Sequence, residues 1–155
     1  MKKILFAFTL LLTMTACTSH SPEATTVNEE SSEVTFEVAK NYFFKNDQQI
    51  PASPKITSEE EFNKLFGMAT VMGVDGKPTS IDFTKQFVLA IVLPVTDTAT
   101  EINPVKVEVK SDSLFYSYEV KTGEKQTYSI QPVSIIILDK QYENNEVKLI
   151  SDGRE

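Results

Sequence analysis

Phe87-Val88-Leu89-Ala90-Ile91-Val92-Leu93, closed by Pro94, is apolar at every position. A strand with one wet face needs a polar residue at every second place, so this run reads as a central strand covered on both faces. Val133 to Leu138, interrupted only by Ser134, reads as a second buried strand. Two such strands cannot stand alone, and the remaining chain has to supply a layer on each side of them.

The supply is visible as alternating strands and one helix. Val34, Phe36 and Val38 alternate with polar residues and lead into Tyr42-Phe43-Phe44, giving a first strand of roughly Glu33 to Lys45. Val105, Val107 and Val109 alternate with Lys106, Glu108 and Lys110, Ser111-Asp112-Ser113 turns, and Leu114 to Val120 returns as a hairpin with one solvated face. Lys121 to Lys125 reads as a second turn, Gln126 to Gln131 as a short strand, and Glu146 to Ile150 as the last strand. Between Pro54 and Gly67, Thr57 or Ser58 can cap a helix, with Glu60 or Glu61 at the capping-box position and Gly67 as a stop. Phe62, Leu65 and Phe66 form its buried stripe. About seven strands and one main helix near residues 58–67 give an α+β fold, a mostly antiparallel sheet curling into a sandwich or partly open barrel.

The N-terminus sets the address. Lys2-Lys3, an apolar stretch from Ile4 to Leu12, and Met14-Thr15-Ala16-Cys17 have the order of a bacterial lipoprotein signal, too short for a permanent span. Residues 1–16 are expected to be removed and Cys17, the single cysteine, to carry the lipid, acyl chains of the palmitate type. Residues 17–32, rich in Ser, Thr and Glu, read as a lipidated flexible tether that sets the domain about 20 Å from the membrane. A single globular domain follows over residues 33–151, then a polar tail over 152–155. Thr18 follows Cys17 with no acidic residue beside it, and the expected place is the cell envelope, at the outer membrane facing the periplasm, with the cell surface as the other face.

Charge and composition exclude several classes. The net charge is -7, and loss of Lys2 and Lys3 with a segment free of acids takes it to about -9. Arg154 is the one arginine and no basic cluster stands out, so nucleic acid is not an expected partner and membrane contact falls to the lipid. The expected domain contains neither Cys nor His, since His20 lies in the tether, which removes Cys-His and Ser-His-Asp catalysis and imidazole or thiolate metal ligation. Asp75-Gly76 lacks the carboxylate ladder of a calcium loop and reads as a turn. Glu59-Glu60-Glu61 is explained by the helix N-terminus. No catalytic residue, metal site or cofactor is expected; an acid/base enzyme would need a carboxylate pair that spacing does not locate.

What remains is surface. The segment 68–79 mixes Met68, Val71, Met72 and Val74 with glycines and Lys77, and methionines suit adaptable contacts. The segment between Pro94 and Pro104 carries Thr96, Asp97 and Thr98 and reads as a second long loop. In each case the plainer alternative is a capped core end or a solvated crossover.

The helix ITSEEEFNKLFG, the phrase IDFTKQFVLAIV, the hairpin VKVEVKSDSLFYSYEV and the closing QPVSIIILDK, in that order over Ile56 to Lys140, resemble the C-terminal domain of the PrcB-like family and other small bacterial lipoproteins. That family is associated with a bacterial surface protease complex and usually shows a P-T-G-G-Y-like turn after the central strand, where this chain has Leu93-Pro94-Val95-Thr96-Asp97-Thr98-Ala99-Thr100. The resemblance implies the fold and a non-enzymatic character. The expected function is a membrane-anchored domain that binds or stabilises another envelope protein, protease-complex related, through the two long segments. The alternative is a carrier or sensor of a small ligand in the mouth of a barrel-like sheet lined by Met68, Met72, Phe87 and Tyr118.

Overall fold

Both apolar runs lie side by side in the middle of one sheet. The computed structural model describes residues 31–70, 72–73 and 76–151; the signal, Cys17, most of the tether, Val71, Val74 and the tail lie outside the described residues. In chain order the strands are β1 (Ser32–Val34), β2 (Glu37–Val38), β3 (Tyr42–Phe44), β4 (Lys55–Ile56), β5 (Phe66–Met68), β6 (Gln86–Val92), β7 (Thr96–Lys110), β8 (Ser113–Ile130), β9 (Val133–Asp139) and β10 (Glu146–Ser151), with helix α1 at Glu59–Leu65. One four-stranded sheet runs β2-β9-β6-β4, the other β1-β7-β8-β10, and β3-β5 form a ladder of their own.

Residue alternation assigns each face of β6 and β9 to a different core. Phe87, Leu89 and Ile91 of β6, with Ile136 and Leu138 of β9, meet Val34, Ile102, Val107, Leu114 and Tyr116 of the second sheet. Val88, Ala90 and Val92, with Ile135, Ile137 and Ile56 of the neighbouring β4, face the other way onto Phe44, Phe62, Leu65 and Phe66. The first set fills a sandwich between two sheets, and the second seats α1 and the β3-β5 ladder on its back. Both faces of the central strands are therefore dry, as a continuous apolar run requires. The sheets stay open, so of the two expected forms the sandwich is the one adopted.

The expected first strand is in fact three. β1 pairs with β7, then the chain crosses at Thr35-Phe36 so that β2 pairs with β9 in the other sheet. Asn41, at φ 63°, turns the chain again before β3. Alternation alone does not reveal such a crossing, because each short piece keeps its period of two.

Helix α1 starts where the cap signal places it: Ser58 Oγ accepts from the Glu61 N–H at 3.3 Å, with Glu59, Glu60 and Glu61 in the first turn. It ends earlier than expected. Phe66 is already extended, with φ -117°, because it is drawn into β5 opposite Phe44, where the two rings meet edge to face at 5.7 Å. Gly67 is thus a strand residue rather than a helix stop.

Two expected breaks are also absent. Residues 96–103 are not a loop but the start of β7, and Lys121 to Lys125 is no turn, since β8 runs unbroken to Ile130. The two form a long ribbon whose register slips between Thr96 and Thr98, between Thr98 and Thr100, and beside Pro104. Bulges let a strand carry polar runs and a proline that a regular ladder would reject. The last strand, β10, joins β8 in parallel, the single parallel pair among the described strands.

Candidate functional site: an aromatic groove beside residues 77–83

Four segments meet around a groove of about 360 Å³. Strand β3 supplies Tyr42, helix α1 supplies Glu59, Phe62 and Asn63, and the chain from Lys77 to Phe83 supplies the opposite wall. Phe62 is buried and forms the floor; Tyr42 stands edge-on to it at 5.1 Å, and Phe83 tilts against it at 5.6 Å. Met68 closes one end with 66 % of its surface exposed.

The wall is fixed by reciprocal hydrogen bonds between residues 40–42 and 77–79. The Lys40 N–H donates to Thr79 Oγ1 at 3.0 Å and the Thr79 N–H returns to the Lys40 carbonyl at 3.2 Å. Asn41 Nδ2 donates to the Lys77 carbonyl at 2.9 Å, and Tyr42 Oη to the Thr79 carbonyl at 2.6 Å. Burial raises the Tyr42 phenol above its ordinary value, so at neutral pH it is a fixed donor and no base. Glu59 and Lys77 place one charge of each sign at the rim. The arrangement can grip an apolar or aromatic side chain between rings and orient the polar backbone around it. Among the described residues, no group of three or more His, Cys, Asp or Glu lies close enough together to hold a metal ion.

The residues singled out in the sequence divide between three places. Met68 and Lys77 are brought together in this groove. Met72 is fully exposed, and Val71 and Val74 lie outside the described residues. Thr96, Asp97 and Thr98 stand on β7, where they brace the bulged ribbon: Asp97 pairs with Lys125 at 2.9 Å, Thr96 Oγ1 accepts from the Thr98 N–H at 3.1 Å, and Thr100 Oγ1 donates to the Thr98 carbonyl at 3.0 Å. Beside them a shallower hollow of about 420 Å³ runs between Ala99-Glu101 and residues 121–130. The expected barrel-mouth lining does not assemble. Phe87 is wholly inside the inter-sheet core, Tyr118 flanks a small cleft near Leu149, and Met72 touches neither.

No family model, curated protein or solved structure matches the chain. Among the groove residues that the sequence does not mark as parts of a site are Tyr42, Glu59 and Phe83. Each has a sufficient local explanation, as strand aromatic, helix-end acid or lead-in to β6, and only the tertiary fold brings them within one wall of each other.

Proposed function

We propose that this chain is a lipid-tethered envelope protein whose domain, acting without catalysis, binds or stabilises another envelope protein. The aromatic groove carries the reading: it is preformed, held open by four hydrogen bonds between residues 40–42 and 77–79, and ringed by Tyr42, Phe62, Phe83 and the exposed Met68. Aromatic and methionine side chains around a fixed concavity are what protein-binding surfaces use as anchors. The lipoprotein signal and the tether place the groove near a membrane, in this reading the outer membrane facing the periplasm. The segment order that resembles the PrcB-like family points to a surface-protease assembly as the partner class.

A photo-crosslinking amino acid at position 68, in cells making the full chain, tests this directly. One defined protein adduct is expected, lost when Phe83 is replaced by Ala and absent when the crosslinker sits at Lys110 on the opposite sheet. Recovery of the protein alone, with a small molecule retained in the groove, would overturn it in favour of a carrier. Shaving of intact cells with protease assigns the face.

A further inference from the structure

Strand β10 is the terminal strand of its sheet, six residues long, without proline or bulge, and five of the six are exposed. The other edges are short or broken: β1 has three residues, β2 and β4 have two, Pro54 precedes β4, and the far end of the β7-β8 ribbon slips register twice. An edge as regular as that of β10 offers unpaired N–H and C=O groups to another chain. It also leaves Leu149 and Ile150 exposed, at 43 % and 44 %.

We propose that β10 pairs with β10 of a second copy of this chain, antiparallel about a two-fold axis at Val147. A two-fold perpendicular to the sheet keeps inner residues opposite inner ones, so one residue must face itself. Val147 packs against the inter-sheet core, while Lys148 lies on the outer face over the Phe115 ring at 5.4 Å. An axis at Lys148 would oppose two ammonium groups. An axis at Leu149 would set Lys148 against Ile150 and leave Glu146 facing no cation of the strand. The axis at Val147 sets Glu146 opposite Lys148 of the second copy, twice, so Glu146-Val147-Lys148 is self-complementary in charge.

In one copy these two side chains already lie 3.8 Å apart, and the pairing turns that exposed contact into a ring of four alternating charges. The ladder itself spans residues 146–148 of each copy, and Leu149 and Ile150 extend past it beside residues 143–145 of the second copy, where Lys55 Nζ holds the carbonyls of Glu143 and Asn145. The two sheets become one of eight strands, with β1, and hence both N-terminal approaches, at its far ends. A contact limited to one strand edge is small, so the dimer is weak in dilute solution and gains from confinement of both copies to one surface.

The test uses the full chain, mixed from 14N and 15N preparations, with zero-length carbodiimide coupling and sedimentation. Expected are mixed-isotope Glu146–Lys148 adducts, association roughly tenfold weaker in Glu146→Lys, and recovery in the double variant Glu146→Lys, Lys148→Glu. Unfolding curves of the variants check that the exposed substitutions leave the fold intact. The proposal is overturned if the wild-type chain stays monomeric up to about 1 mM, if it associates without mixed-isotope adducts at these positions, or if the folded double variant associates no better than Glu146→Lys.

Discussion

The ring of Phe43 covers the bare backbone of Gly67, its direct partner across the β3-β5 ladder. A Cβ at position 67 would lie 2.4 Å from Phe43 Cζ, so no other residue fits while the ring stays where it is. Phe43 is 48 % exposed, and the glycine gives its inner face something to rest on.

Gly67→Ala is therefore expected to push Phe43 into solvent and destabilise by about 1 kcal/mol, since the ring can move but loses its contact. With Phe43→Ala already present the same change should cost much less. A double-mutant cycle on urea midpoints measures the difference, and simple additivity would contradict the contact.

Tyr116 is fully buried, and its hydroxyl lacks a hydrogen bond of full geometry; Ser134, the buried polar residue facing it, offsets only part of the burial. Desolvation pushes the phenol up to about 12, against 10 for a free tyrosine. The folded state thus holds this proton more tightly than the unfolded one. Stability from this group is complete below about pH 10 and falls by roughly 2–3 kcal/mol as pH rises towards 12. Tyr116→Phe should remove that alkaline loss and, at neutral pH, be neutral or stabilising by about 1 kcal/mol, because an unpaired polar group leaves the core. Thermal unfolding between pH 8 and about 12 follows both effects.

Lys55 Nζ donates to the carbonyls of Glu143 and Asn145, each at 2.6 Å, tying β4 of one sheet to the turn that feeds β10 of the other. Lys55→Met keeps the stem and removes the donors. A loss of about 1–3 kcal/mol is expected, with faster amide exchange at residues 146–151 than elsewhere.

Ser58→Ala removes the cap on α1 and should cost about 1 kcal/mol. Phe62, the groove floor, lies one turn further along, so the loosening should also reduce the position-68 crosslink more than an equal destabilisation placed at Lys55.

The parts of the fold legible in the sequence are those decided within a single segment. Phe87 to Leu93 had to be covered on both faces, and Ser58 with its following glutamates had to start a helix. Residues 96–103 read as a loop and 121–125 as a turn because threonine, aspartate, glycine and lysine, taken singly, favour such places, and 126–131 then reads as a separate short strand. Paired across a bulged ribbon, the same residues satisfy each other, and that depends on a partner some twenty to thirty residues away. The groove was half legible for the same reason. Met68 and Lys77 announce themselves in an unusual segment, whereas Tyr42, Phe62 and Phe83 look like ordinary core until their segments converge.

The crossing of the chain from β1 to β2 has a mechanical side. Any pull transmitted through residue 31 first meets a three-residue ladder in one sheet and, two residues later, a second ladder in the other. Load entering at the N-terminus is thus handed from sheet to sheet at the Thr35-Phe36 corner. Peeling β1 from its edge would leave β2 clamped to β9, so the central strands feel the tug only once the first ladder has been released.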